Sequence, residues 1–495
     1  GMWVNDEESN VSVADTLQTV TAAGNTTTIT SEFNSTNSVS LYVENGIETN
    51  SNVIIGSGAG FSSLADPLTT NPPKDRIAIG TSAGNSLQNL YSIAIGSNAG
   101  FISQAESSIA LGRGAGETEQ GGTNNIFFGY AVAVGHRAGR TSQSFGALAF
   151  GSSAGCSNQG QQATALGYDA GKTNQGVEAT AIGTLAGAID QNNYTVAIGS
   201  SAAAVGQNAY SIAIGHTVGS QAQGSNSVAI GSSAATQNQG EYSIAIGSGP
   251  GQNDQASDCI ALGRNAGQFS QELKSIAIGR SAGNVTQGGR AVAVGVEAAQ
   301  LSQGYEAVAV GPNAGYDEQG ASAVAIGHSA AYTSQGASAI AIGNSAGLTG
   351  QNTFSVAVGA SAGQTIQGQE AVAVGLQAAR SNQGFNGIAI GKAAGHDNQG
   401  DYAIAMGRNT AYTDQGVNSV AIGTSAANDT QGQGAVAIGV NAGEKGQNNY
   451  SVAVGASAGK TIQGSNSVAI GRLAGGSVQG QTAVAIGYLA GESNQ

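Results

Sequence analysis

The chain has 495 residues, a formal net charge of −14 and only 9% charged residues, so it offers no basic stripe for nucleic acid and no cationic amphipathic helix for a membrane surface. No run reaches the about eighteen apolar residues that cross a bilayer as a helix, and the start, Gly1-Met2-Trp3, lacks the basic and apolar regions of a signal peptide. Its 79 glycines suit a backbone with many tight corners.

Residues 1–51 read as a Thr-rich β segment of the attachment or neck kind. Val39, Leu41 and Val43 alternate and are followed by Asn45-Gly46, which predicts a strand and a tight turn. Residues 52–134 contain the first copies of a repeat marked by Gly56, Gly80, Gly96 and Gly112. Eight extra residues, including Pro67, Pro72 and Pro73, lie between Gly56 and Gly80, and seven more lie between Gly112 and Gly135 around Asn124 to Ala131. A stack cannot absorb such insertions, so they are expected to bulge as loops, for contact with a partner or as collar or docking features. From residue 135 to 495 the marker glycine recurs every sixteen residues without slippage as far as Gly487, for twenty-seven copies in all. A period this short and strict means a solenoid.

Within each copy the residue before the marker is apolar (Ile214, Val294, Leu262, Phe150, Met406), and the one three before it is usually Ile or Val. Between them stands Ala, with Ile54 the exception. Three after the marker Ala recurs, departing at Val218, Pro250 and Thr410; four after it stands Gly or Ala; eight after it stands Gln in every copy but the first. Sixteen residues cannot hold a helical pair, and the short branched apolar set bounded by Gly predicts strand. The expected fold is all-β: a parallel β-roll or β-solenoid of about 27 coils, each with one strand over Ser211 to Ile214 and its equivalents and a second over the Ala-Gly to Gln segment.

Alternation sends Ile212 and Ile214 to one face and Ser211 and Ala213 to the other. With Ile and Val lining the coil, the opposite face is a ladder of small uncharged residues, a surface that expects a cover. The expectation is a parallel homotrimer, an elongated rod in which each chain meets two identical chains, with Ala213, Ala229, Ala245 and Ala277 packing about the common axis.

The phrase Ser-Val-Ala-Ile-Gly at Ser227 to Gly231 and Ser467 to Gly471 resembles the head repeat of trimeric autotransporter adhesins, which implies a trimeric left-handed parallel β-roll. Those heads use a shorter coil. The longer unit, with Ala170-Gly171 followed by Gln175-Gly176, resembles repeats of viral and phage fibre proteins, and Thr16 to Thr28 resembles a segment near the shaft-to-tip junction of phage tail fibres. The resemblance covers residues 52 to 495. It implies a structural fibre on a virion that serves host attachment, joined at one end to other virion or tail proteins and reaching a host-surface receptor. The alternative is an adhesin head on a bacterial cell surface; an intact adhesin of that type needs an export signal and an anchor, so the chain would then be a fragment. The array stops at Gln495, one residue before the next corner glycine, where further polypeptide or another protein is expected to follow.

No chemistry recurs with the period. His136, His216 and His328 follow the marker glycine, His396 sits elsewhere in its coil, and no two share a coil; convergent metal ligands are not expected. Asp169, Glu178, Asp190, Asp317 and Glu318 are scattered, without the fixed acid pair of a glycosidase. Gly-x-Gly phrases such as Gly112 to Gly114 are corners without the strand-to-helix context of a phosphate loop. Cys156 and Cys259 lie about seven coils apart, too far for a disulfide. Nor does a regular Thr array mark an ice-binding face. No cofactor and no catalysis are expected. Gln223, Gln239, Gln319, Gln335 and Gln351 are expected to stack as a structural amide ladder along the rod.

Overall fold

The computed structural model describes residues 52–60, 75–122 and 129–493. The strand and turn expected at Val39 to Gly46, the prolines of the first insertion and residues 124–128 of the second lie outside the described residues. Two units are distinguished, Gly1–Asn52 and Val53–Gln495, and the second is the coil stack.

The described residues are all-β, and no helix occurs among them. One strand per coil, from Asn52–Ile55 to Val484–Ile486, builds a parallel sheet of 27 strands. Its register follows the sequence period: Val308 pairs with Val324, Ala309 with Ala325 and Val310 with Ile326. A second parallel row consists of short strands ending on the glutamine, such as Thr333–Gln335 and Thr349–Gln351. This second strand is shorter than the sequence suggests, because the Ala-Gly pair before it belongs to the corner. Register is kept from one side of each insertion to the other: Gly80 N–H donates to Ile55 O at 2.7 Å, and Ile109 to Leu111 pair with Val132 to Val134.

The corners explain the composition. In one coil Gly343 (φ 130°), Ser345 (53°), Gly347 (53°), Gly350 (66°) and Phe354 (59°) all have positive φ, a region that ordinary residues enter only a few per cent of the time. Space removes the choice at two of them. A Cβ on Gly343 would stand 2.7 Å from the Gly359 carbonyl of the next coil, and one on Gly347 would stand 2.7 Å from Gln351 Oε1.

The same crowding overturns the expected facing of the strands. Ala325, Ala341 and Ala357 have no exposed surface, and they pack inside the coil against the alanines three after the marker, Ala330, Ala346 and Ala362. Ala213, Ala229, Ala245 and Ala277, expected to meet sister chains, are likewise completely buried within one chain and have no surface left for a partner. Ile and Val point outward instead. A lumen in which a methyl group nearly touches an amide has no room for two branched side chains per turn, so methyl-sized residues take the inside and alternation sends the branched ones out. Arg76 is the one charged residue in this small-residue row; it is buried, and Nη1 donates to Gln88 O at 2.9 Å.

Candidate functional site

The most regular polar feature lies inside the coil. Gln335 is almost wholly buried, and Nε2 donates to Val324 O at 2.9 Å, to Ala339 O at 3.2 Å and to Gln351 Oε1 at 3.0 Å. Gln319 donates to Gln335 Oε1 at 3.1 Å, and Gln351 continues the series to Gln367 at 3.1 Å. Each of these three amides therefore bridges the two strands of its own coil and reaches the next amide, which satisfies polar atoms that burial would otherwise make costly. The ladder expected at Gln319, Gln335 and Gln351 is present. Gln239 joins it at 3.2 Å from Gln255 Oε1, whereas Gln223 Nε2 donates only to Ile212 O, at 2.8 Å, and its Oε1 is unpartnered. This is architecture, closed to any ligand by its burial.

The outside carries two further series. Asn158 donates to Asn174 Oδ1 at 2.9 Å, and Asn174 to Asp190 Oδ1 at 2.8 Å, an outer amide ladder seven residues after the marker. Its signal in the sequence is the frequent Asn, Asp or Ser at that position, of which only Asp190 was noted above, as one of the scattered carboxylates. The second series is apolar. Ile326, Ile342, Ile390, Met406 and Ile438 are between 38 and 39% exposed on the outer face of the large sheet, each with a half-buried Ile or Val two residues earlier on the same face. A contiguous aliphatic stripe along a stack of this length is far larger than the patches a solitary soluble chain exposes.

The titratable residues do not converge. His216 and His328 are exposed at the corner, and His136 is half-buried there. His396 is buried, stacked on Tyr412 with ring centroids 4.4 Å apart, and its Nδ1 lies 2.9 Å from Asp397 Oδ2. Among the described residues no group of three or more His, Cys, Asp or Glu could hold a metal ion. Asp169 pairs with Lys172 at 3.0 Å, and Asp190 belongs to the outer ladder. Cys156 and Cys259 are both free thiols. Cys259 occupies the inside slot usually held by Ser or Ala, where burial pushes its pKa up, so it is a packing residue and not a reactive one. No helix among the described residues is long and apolar enough to cross a membrane.

Compared with known proteins, the chain matches no family model, no curated protein and no solved structure. The class that the fold defines is a parallel β-solenoid with an alanine and glutamine interior and an aliphatic exterior sheet.

Proposed function

We propose that this chain is a structural fibre, a non-catalytic shaft or spacer in the host-attachment apparatus of a phage or virus particle, in which three parallel copies close their aliphatic sheets around a common axis. The observation that carries this reading is the outward Ile and Val face, repeated on strand after strand of the stack. A face of constant composition and constant spacing is self-complementary to parallel copies of itself, and burying it removes apolar surface at about 25 cal/mol per Å². The axis contact is thus aliphatic, in place of the alanine contact suggested by the sequence. Such a fibre would join other virion proteins at one end and present a receptor-binding element at the other; the adhesin-head alternative places the same trimer on a bacterial surface.

Two experiments test this. Sedimentation equilibrium should give about 145 kDa, three times the chain mass of 48.4 kDa, and Ile342→Asp with Val358→Asp should yield monomers that keep their β circular dichroism. A wild-type monomer at micromolar concentration overturns the trimer. Immunogold labelling should decorate the fibres of virus particles; label confined to bacterial cell surfaces overturns the virion assignment.

A further inference from the structure

In a chain with 30 acidic and 16 Lys and Arg residues, three arginines meet at one corner of the stack. Arg113, Arg137 and Arg140 surround a depression of about 210 Å³, lined also by Asn98, Gly114, Glu117 and His136. They come together because the coils of Gly112 and Gly135 are adjacent in register, so residues 23 apart in sequence are neighbours: Arg113 Nη2 lies 2.8 Å from His136 Nε2, and Arg140 Nε donates to Glu117 Oε2 at 2.6 Å. The depression exists because of Gly114. The coils on either side carry Asn98 and Arg137 at that ladder position, with φ of 58° and 57°, whereas Gly114, at 63°, contributes no side chain.

The charges do not cancel. Glu117 neutralises Arg140, but Arg113 is held only by an imidazole, and Arg137 forms no ion pair among the described residues. Partial burial, with Arg113, Arg137 and Arg140 beside it, keeps the His136 pKa below the ordinary value, so near neutral pH the ring is an uncharged acceptor that fixes Arg113 at the rim. The result is a local positive site in a strongly negative protein, with guanidinium donors suited to oxygen anions. Glu117 limits what can enter. Its carboxylate repels a second anion but accepts from hydroxyls, as Asn98 also can. One oxyanion flanked by hydroxyls describes an acidic sugar better than an acidic peptide, whose charges follow one another without hydroxyls.

We propose that the notch at Gly114 binds the carboxylate or sulfate group of an acidic saccharide, with Arg113 and Arg137 holding the anion and Glu117 and Asn98 bonding neighbouring hydroxyls. The notch lies on the corner after the sheet, and its chemistry does not depend on how the aliphatic face is covered.

Titration calorimetry on the full chain tests it with five probes: an oligoglucuronate, a sulfated galactan oligosaccharide, the neutral oligosaccharide, inorganic sulfate and an oligoglutamate peptide. One or both acidic saccharides should bind, the neutral one should not, and Arg113→Gln or Arg137→Gln should weaken binding at least about tenfold. Gly114→Leu keeps both arginines and fills the depression; Leu185 holds the same ladder position at φ 57°, so this variant should keep the wild-type melting temperature and lose binding. The arginine variants, on the surface, test the site should the leucine variant fail to fold. Saccharide binding unchanged in the arginine variants, or the peptide binding as tightly as the saccharides, overturns the proposal. Inorganic sulfate binding as tightly as the sulfated oligosaccharide also overturns it, leaving an adventitious ion only.

Discussion

From Gln239 to Gln463 every buried amide donates to the next, as at Gln239 to Gln255 and Gln447 to Gln463; between Gln207 and Gln239 the series is interrupted, and Gln223 and Gln239 each keep an unpartnered Oε1. The two stretches share their period and their strands. They differ at Val218, which fills the inside slot that is alanine in Ala330, Ala346 and their equivalents. A Cβ placed on the following Gly219 would lie 3.1 Å from Gln223 Oε1, close to the 3.0 Å of Gly395 and Gln399 in the unbroken stretch. Around it the strands lengthen to five residues, Ile212–His216, Val228–Ser232 and Ile244–Ser248. Bulk alone does not interrupt the series, since Thr410 fills the same slot while Gln399 donates to Gln415 at 3.0 Å and Gln415 to Gln431 at 3.2 Å; the Thr410 hydroxyl bonds to Gly423 O, a contact that two methyl groups cannot make.

The most damaging way to break the contrast is to overfill the unbroken stretch. Ala309→Leu puts three further carbons into a slot with no free surface and should cost about 3 kcal/mol or more, read as faster hydrogen exchange at Val308 to Val310 and their partners at Val324 to Ile326; protection equal to wild type would disprove the interior assignment. Next comes Gln335→Ala, which removes three donated bonds and one accepted from Gln319, for a loss of about 2 to 4 kcal/mol in denaturant unfolding. Gln223→Ala should cost less, since Gln223 makes no amide-to-amide bond; equal losses would mean that the ladder contributes nothing beyond single side chains.

A reciprocal pair sharpens the same point. Ala346→Val should import the interruption and destabilise by about 1 kcal/mol, and Val218→Ala should restore the Gln207 to Gln223 link and stabilise by a similar amount; opposite shifts in melting temperature are expected, and shifts of one sign would absolve Val218. Smallest is a corner effect. Ile366 is a β-branched residue at φ 50° and 58% exposed, where the adjacent coils use Gly350 and Asn382. Ile366→Asn should stabilise by about 1 kcal/mol, and a loss of stability would show that the exposed isoleucine is packed against something.

The strict positional regularities were legible in the amino-acid order. Sixteen-residue spacing, a short apolar strand before the marker glycine and a fixed glutamine predicted parallel stacked coils and the ladder through Gln319, Gln335 and Gln351. The outer Asn158, Asn174 and Asp190 series was harder to see, because the same position also takes Gly206, Ala222, Thr286, Glu318 and Ile366. The phase puts Arg113 one residue after Gly112 and Arg137 and Arg140 two and five after Gly135, on adjacent coils, but only the coordinates show that their side chains border one depression.

Sequence by itself determined that alternate residues of each strand fall on opposite faces, since that follows from the extended backbone and holds whatever surrounds it. It could not decide which face turns inward. Hydrophobicity argued for Ile212 and Ile214, yet Ser211 and Ala213 went inside, because the width of the lumen is set by several positive-φ residues per coil acting together, as at Gly343, Ser345, Gly347, Gly350 and Phe354. That width admits a methyl group and one slender amide. Only the closed coil imposes it, and with it the aliphatic surface that the chain presents to its surroundings.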